Sequence, residues 1–224
     1  MQDLNTIQTV AITVLPLLFA ITLHEMAHGW MADRLGDPTA RMLGRVTLNP
    51  LKHIDPIGTV ALPLGLLLVS ALAHTPPFIF GWAKPVPITA RNLHNPRRDM
   101  ALVAAAGPAA NFLMAVLWVL AVKLGVTLGG ALPGMAAPVF YMGIAGVTVN
   151  LVFMVLNLFP LPPLDGGRVL ASLLPPRLAW QLGRIEPYGI MILLLLLVTG
   201  VLWSILAPIM GFFNRALFSL IGLG

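Results

Sequence analysis

Long apolar runs constrain the fold of this chain more than any other feature of its sequence. A helix needs about 20 predominantly apolar residues to cross roughly 30 Å of bilayer hydrocarbon. Four runs are long enough, at residues 7–32, 100–124, 138–158 and 188–210. Only 9% of the 224 residues are charged and 58% are hydrophobic, whereas soluble domains contain about 25% charged residues. The sequence therefore predicts an all-α polytopic membrane protein, a helix bundle of about four to six membrane segments.

Two further apolar runs do not fit a simple crossing. Residues 57–80 are interrupted by Pro63, Gly65 and the Pro76-Pro77 pair, which favours a re-entrant segment covered by protein. The alternative is a single full crossing. Residues 211–223 are short and contain Arg215, so they predict a helix that lies at the membrane interface.

Basic residues are concentrated in three loops. The stretches 33–56, 81–99 and 166–186 hold 11 of the 13 Lys and Arg residues. This placement is typical of orientation signals, so the net charge of +5 does not indicate a nucleic-acid partner. If the basic loops face the cytoplasm, the N-terminus lies outside and residues 57–80 enter and leave on the same side. A full crossing at 57–80 would invert every later segment.

The first apolar run contains three ionisable residues, His24, Glu25 and His28. Such residues are costly in a membrane span and indicate function by default. Residues four apart share one face of a helix, so both imidazoles can bind one metal ion while Glu25 reaches a water on that ion. This spacing is the H-E-x-x-H pattern of zinc hydrolases. The alternative, two structural histidines beside a structural glutamate, fits poorly in lipid.

A catalytic zinc usually takes three protein ligands, so a third ligand is required. Asp165 follows a proline-rich stretch that ends the third apolar run, and Gly166 and Gly167 after it allow a close approach of the backbone. From these residues alone, a metal ligand and the N-cap of the next helix are equal alternatives for Asp165. The other histidines are expected to be packing or interfacial residues: His53, His74 and His94.

Three motifs on three separate runs resemble the site-2 protease family of intramembrane zinc metalloproteases. The motifs are His24-Glu25-x-x-His28, Gly107-Pro108-x-x-Asn111 and Asn157-x-x-Pro160-x-x-x-Leu164-Asp165-Gly166. The stretches 44–50 and 81–87 also resemble a compact bacterial and archaeal branch that lacks an appended PDZ or CBS domain. The resemblance covers residues 20–170.

The resemblance implies a zinc metalloendopeptidase that cleaves single-span membrane proteins within or near their transmembrane segments. It implies one Zn²⁺ per chain, held by His24, His28 and Asp165, with a zinc-activated water as the nucleophile. Glu25 is expected to act as the catalytic base. Asn157 is expected to be a catalytic group that holds the substrate backbone or polarises its carbonyl.

We expect a single transmembrane protease domain over residues 1–224, with a catalytic core at 7–170 and C-terminal helices at 171–224. Its partners are expected to be the lipid bilayer and the substrate. Its location is expected to be a prokaryotic cell membrane, with the active site toward the cytoplasm. The rival function is a membrane metal-ion or proton transporter, because ionisable residues in broken helices also mark ion pathways.

Residues 78–90 suggest how a substrate is bound. A substrate helix hides its peptide carbonyls in internal hydrogen bonds, so it must be unwound before cleavage. Pro85 and Pro87 remove backbone N–H groups at alternate positions, which is typical of an edge strand. One hypothesis is a small membrane-embedded β-hairpin that clamps the substrate, and the alternative is a cytoplasmic turn without a catalytic role.

Two asparagines in the spans are less specific signals. Asn111 follows a run of small residues that allow close helix contact, and helix contact and support of the site are equal alternatives for its side chain. Asn150 is expected to be a packing or hydrogen-bonding residue.

Overall fold

The apolar runs form helices throughout the computed structural model, which describes residues 6–72 and 81–223. In chain order the helices are α1 (Thr6–Arg34), α2 (Thr39–Met42), α3 (Leu62–Leu72), α4 (Pro96–Leu128), α5 (Pro133–Asn157), α6 (Asp165–Leu173), α7 (Pro176–Gly183), α8 (Gly189–Val198) and α9 (Val201–Ser219). A π-helix at Pro56–Ala61 leads directly into α3. Within these two described ranges, five helical segments are long and apolar enough to cross a membrane. The predicted polytopic helical membrane protein is confirmed.

Helices α1, α4 and α5 pack together and form the centre of the bundle. Small residues allow α4 and α5 to approach closely: a Cβ atom on Gly125 would lie 2.6 Å from the backbone nitrogen of Phe140. The opposite face of α4 carries exposed leucines at heptad-like spacing: Leu113, Leu117, Leu120 and Leu124. Lipid is the solvent that suits such a face, because apolar side chains there cost nothing in hydrocarbon.

The three basic stretches lie together at one end of the bundle. The backbone N–H of His94 donates to the carbonyl of Leu35 over 2.9 Å, which joins the second stretch to the first. Nε of Arg97 donates to the carbonyl of Ser172 over 2.9 Å, which joins the second stretch to the third. These contacts agree with the prediction that all three stretches lie on one side of the membrane.

The chain between residues 58 and 82 returns to the place that it left. The N–H of Trp82 donates to the carbonyl of Gly58 over 3.1 Å, and Oγ1 of Thr59 donates to the carbonyl of Trp82 over 2.8 Å. A single crossing would separate these residues by roughly 30 Å. The geometry therefore supports the re-entrant interpretation of run 57–80 over a full crossing. Residues 73–80 of that run lie outside the described residues.

Residues 81–89 are extended but form no strand, and the described chain as a whole contains none. Pro85 and Pro87 have no N–H to donate on one side of this segment. On the other side, the backbone groups of Lys84 and Val86 bond to loops and side chains. The part of the predicted hairpin that can be seen therefore has no strand partner, while residues 78–80 lie outside the described residues.

The C-terminal apolar runs differ from the prediction. Helix α8 ends at Val198, Gly200 adopts a left-handed backbone conformation with φ of 75°, and α9 begins at Val201. Glycine adopts this conformation readily, and it commonly ends a helix. The single span expected at 188–210 is therefore wrong, and so is the separate interfacial helix at 211–223, because α9 includes Arg215 and runs to Ser219.

Candidate metal centre

Three potential metal ligands meet inside the bundle. Helix α1 places His24 and His28 on one face, and their Nε2 atoms lie 3.0 Å apart. Oδ2 of Asp165 lies 3.2 Å from Nε2 of His24 and 3.3 Å from Nε2 of His28. All three residues are buried, with 5–7% of their surface exposed. The structure thus brings together the ligand set that the sequence suggested, and this group could hold a metal ion.

The outer nitrogens of the two rings are held by acceptors. Nδ1 of His24 lies 2.6 Å from Oδ1 of Asn111, and Nδ1 of His28 lies 2.7 Å from the carbonyl oxygen of Val103. Both partners accept hydrogen bonds, so a neutral ring that carries its proton on Nδ1 satisfies them and leaves the lone pair of Nε2 available to a metal ion. Partners of this kind orient histidines that bind metals.

The three inward-facing atoms converge on one point. Within the described chain, Oδ2 of Asp165 is buried and has no hydrogen-bond partner, although the Nε2 atoms of His24 and His28 lie 3.2 and 3.3 Å from it. Electron pairs that converge in a buried site repel one another unless a cation neutralises them. Two imidazoles and one carboxylate are a ligand set that zinc prefers. The residues present fit a zinc ion.

Gly107 leaves the room that this cluster needs. A Cβ atom at this position on α4 would lie 2.4 Å from Nε2 of His28 and 2.7 Å from Cε1 of His24. The sequence indicated only close helix packing at this glycine. The structure shows that α4 approaches the metal-binding face of α1 itself.

Asp165 is the first residue of α6 and not its N-cap, which is Leu164. The structure therefore favours the ligand over the cap among the two alternatives. The glycines behind it permit the tight turn, since a Cβ atom on Gly166 would lie 2.2 Å from the carbonyl oxygen of Leu158, and one on Gly167 would lie 2.4 Å from the nitrogen of Pro162. The close backbone approach predicted for this pair is confirmed.

Glu25 lies beside the cluster and touches the extended segment 81–89. Its Oε2 accepts a hydrogen bond of 2.8 Å from the backbone N–H of Val86. Glu25 and His24 also line a cavity of about 220 Å³, together with residues 81–83, Phe153 and Asn157. Space for a reactant therefore exists next to the carboxylate.

Asn157 is the last residue of α5 and borders the same cavity. Its Nδ2 donates to the carbonyl of Phe153 in its own helix over 2.9 Å. An amide nitrogen carries two protons, so this bond uses one of its two donors. The structure places Asn157 near His24 and Glu25 but outside the ligand cluster.

Among the described residues, the other two histidines, His53 and His94, take no part in the cluster. His53 is 1% exposed and its Nε2 lies 3.0 Å from the carbonyl oxygen of Thr47, which agrees with a packing role. His94 is exposed, and His74 lies outside the described residues. The sequence did not predict the contacts of the Val103 carbonyl with His28 and of the Val86 N–H with Glu25. Nearly every residue carries such backbone groups, so the sequence does not show which of them contact the site.

Fold and site together define a helical membrane protein with a zinc-type metal centre buried between its spans. The family model described as peptidase family M50 matches residues 12–137. The chain belongs to this family, the site-2 protease family. The matched range contains His24, Glu25, His28 and Asn111, and it ends before Asn157 and Asp165.

Individual relatives agree with this assignment. The chain is 38% identical over 201 residues to YwhC of Bacillus subtilis, named as a candidate zinc metalloprotease, which covers 86% of this chain and 84% of that protein. It is 33% identical to Rip2 of Mycolicibacterium smegmatis, over 83% of this chain and 66% of that protein. It is 29% identical to Rip2 of Mycobacterium tuberculosis, over 80% of this chain and 63% of that protein. Both Rip2 proteins carry the same candidate zinc metalloprotease name.

No solved structure matches the chain. The family and the relatives nevertheless establish a zinc metalloprotease that is an integral membrane protein. They favour this function over the alternative of an ion transporter.

Proposed function

We propose that this membrane zinc protease hydrolyses peptide bonds within or near the transmembrane segments of single-span membrane proteins. The observation that carries the proposal is the burial of the ligand cluster between helices that can span a membrane. His24 and His28 lie within α1, a helix apolar enough to cross the bilayer, and both side chains are buried. A peptide bond that reacts there must reach the interior of the bundle, which a substrate span already in the membrane can do.

In this proposal His24, His28 and Asp165 hold the zinc. When bound, zinc supplies a Lewis acid that acidifies water and polarises a carbonyl group. Asn111 and the carbonyl of Val103 keep the two rings in the orientation and protonation state that metal binding requires. Asp165 adds a negative charge that two neutral imidazoles lack.

Glu25 acts as the general base and acid. It follows His24 directly on α1, so its side chain points about 100° around the helix from that ligand, and it borders the cavity. The carboxylate takes the proton of the attacking water and returns it to the leaving amine. Val86 donates to Oε2, which leaves Oε1 as the atom that exchanges the proton.

Asn157 donates an amide N–H to the substrate. Its position on the cavity wall and its second amide proton suit a hydrogen bond to the substrate backbone or to the oxygen that becomes negatively charged during attack. A single donor of this kind commonly contributes 10²–10³-fold in rate, by order of magnitude.

The substrate must enter this cavity as an extended chain, since helical carbonyls are already hydrogen-bonded. The segment 81–89 offers little for strand pairing, because the N–H groups of Lys84 and Val86 bond to the carbonyl of His53 and to Glu25 and two of its residues are prolines. We therefore assign this segment to the architecture of the active site and not to a substrate clamp.

The active site opens toward the cytoplasmic side of a prokaryotic cell membrane in this proposal. Support comes from the three basic stretches at one end of the bundle, since positive loops favour the cytoplasm. Asp165 begins the helix that enters the third of these stretches, so the ligand cluster lies near that end.

Co-expression of the chain with a panel of single-span membrane proteins tests the proposal. We expect fragments with the wild type and none with Glu25→Gln, because the amide cannot accept the proton. The chain offers one other glutamate, the exposed Glu186, so Glu186→Gln is a matched control that should cleave as the wild type does. Equal fragmentation by wild type and Glu25→Gln would refute the assigned mechanism, and no wild-type fragments across the panel would refute the substrate class.

A further inference from the structure

Arg45 is a buried cation that donates hydrogen bonds to backbone carbonyls of another loop. Its surface is only 9% exposed, and its Nη2 donates to the carbonyl of Lys84 over 2.8 Å and lies 3.4 Å from the carbonyl of Pro85. In the described part of the chain no carboxylate forms an ion pair with Arg45. Burial of a guanidinium costs free energy unless its N–H groups are hydrogen-bonded. Here those bonds fix the position of residues 84 and 85.

The segment that Arg45 holds is fixed from several sides. The N–H of Lys84 donates to the carbonyl of His53 over 2.9 Å, so both backbone groups of Lys84 are held by the loop that carries Arg45. Pro85 and Pro87 restrict the backbone on either side of Val86. The Val86 side chain is 6% exposed and lies against Gly29 of α1, where an added Cβ would come within 3.0 Å of it.

One N–H group remains between the two prolines, and it meets Glu25. The N–H of Val86 donates to Oε2 of Glu25 over 2.8 Å. A continuous series of contacts thus runs from the Arg45 guanidinium through the backbone at Lys84 and Val86 to the carboxylate. This series of contacts joins the two stretches 44–50 and 81–87, neither of which supplies a residue of the ligand cluster.

We propose that Arg45 is a positioning residue for Glu25, which it orients through the backbone of residues 84–86. The inference rests on the proposed role of Glu25 as the base. A carboxylate that has one oxygen held by a fixed amide presents the other oxygen in one direction. When Arg45 is removed, the segment relaxes and the carboxylate loses that direction, while the zinc ligands on α1 and α6 keep their own partners.

A misplacement of about 1 Å at a reacting group can cost roughly 10²-fold in rate. We therefore expect Arg45→Gln to lower kcat by about 10–100-fold with KM nearly unchanged, since substrate binding does not use the base. Arg45→Lys retains a single donor and should recover part of the loss. Zinc content should equal that of the wild type in both variants.

The experiment uses the full chain in lipid nanodiscs with a fluorogenic peptide probe, one apolar span of about 20 residues with lysines at both ends. Steady-state kcat and KM are measured for wild type, Arg45→Gln, Arg45→Lys and the control Lys52→Gln. Lys52 is an exposed cation in the same loop, so its removal tests the loss of a charge alone and should leave kcat as in the wild type. Zinc per chain and the thermal midpoint are measured on the same samples.

A second pair of variants tests the same contact without a change of charge. Val86→Pro removes the N–H that meets Glu25, whereas Val86→Ala removes side-chain contacts and keeps that N–H. We expect a larger loss of kcat from the proline than from the alanine, at equal zinc content.

The proposal is overturned if Arg45→Gln has the wild-type kcat, if the loss appears in KM instead, or if Arg45→Gln and Arg45→Lys both lose zinc. It is also overturned if Val86→Pro and Val86→Ala are equally active. These outcomes differ from a failure of the proposed function, which would appear as an active Glu25→Gln variant or as a wild type that does not cleave the probe.

Discussion

Asn111 supports His24 through a buried series of hydrogen bonds. Its Oδ1 accepts from His24, its Nδ2 donates to the carbonyl of Ala20 over 3.1 Å and to Oδ1 of Asn150 over 3.0 Å, and Asn150 in turn donates to the carbonyl of Gly146 over 2.9 Å. The Asn150 contact fixes which end of the Asn111 amide faces the imidazole. The two roles that the sequence left open for Asn111, helix contact and support of the site, are therefore combined in one side chain.

Replacement of Asn111 by leucine should weaken zinc binding by about 10–100-fold, because the His24 ring loses the acceptor that sets its orientation and its protonated nitrogen. Competition with a chromophoric chelator measures the affinity without any substrate. Thr148→Val is the matched control, because the hydroxyl of Thr148 is exposed and bonds only to the carbonyl of Ile144 in its own helix. Wild-type affinity in the leucine variant would contradict the role assigned to Asn111.

Residue type and spacing predicted His24 and His28 as ligands, whereas they left ligand and N-cap as equal alternatives for Asp165, and the family resemblance favoured the ligand. Imidazoles four positions apart in an apolar run have few other uses, and Asp165 is one of few carboxylates near a span. The motif at residues 44–50 marked Arg45 as part of a family resemblance but did not indicate a role, since sequence alone does not distinguish a buried arginine in a basic loop from an exposed one. Its role depends on a contact with residues about 40 positions away.

At the scale of elements, Asp37 joins the loop after α1 to the extended segment and the turn that follows it. Its carboxylate accepts from the backbone and hydroxyl of Thr39, from the N–H of Thr89 over 2.6 Å and from Nδ2 of Asn92 over 3.0 Å. Burial opposes ionisation, but these hydrogen bonds outweigh it and hold the pKa of Asp37 below its ordinary value. The charged form is therefore favoured by folding.

This contact predicts acid sensitivity. A carboxylate with a lowered pKa stabilises the fold above its unfolded pKa of about 3.9, and the contribution is lost as the pH falls through the folded pKa. As the pH is lowered from 5, we expect the thermal midpoint of the wild type to fall by more than the midpoint of Asp37→Asn. The difference should be about 2–4 °C for each kcal/mol of stability lost. Asp33→Asn is the control, since Asp33 pairs with the exposed Arg41 and should alter the pH profile little. Identical profiles for wild type and Asp37→Asn would contradict the assignment.

Hydropathy predicted the first three spans well and the C-terminal ones poorly. Uninterrupted apolar residues from 188 to 210 satisfy the length rule for one crossing, and nothing in their average hydropathy marks a break. The break depends on the backbone conformation of Gly200. A glycine inside an apolar run is compatible with either outcome, so the sequence alone does not decide between them.

For the whole molecule, zinc held at the proposed site would link the first helix to the chain after α5. Ligands on α1 and α6 are far apart in sequence, so bound metal stabilises the folded arrangement by mass action. We expect the thermal midpoint to fall on chelation and to rise with added zinc. The free energy of unfolding should increase by about 2.7 kcal/mol at free zinc roughly 100-fold above Kd. Glu25→Gln keeps all three ligands and should respond as the wild type does.

Asp165→Asn should lose most of that response, because a neutral amide is a poor zinc ligand. Differential scanning fluorimetry at a series of buffered free zinc concentrations measures the effect. An Asp165→Asn variant that responds to zinc as strongly as the wild type would show that the ion binds elsewhere.

The predicted orientation of the whole bundle depends on the charges of its loops, because three basic stretches on one side allow few paths for the chain. The hydrogen bond between Trp82 and Gly58 brings the two ends of the intervening chain together. A change in the length of that chain would therefore leave the orientation of α4 and of every later helix unchanged. The surroundings of the active site can be altered through this stretch while the two parts of the ligand set keep their positions.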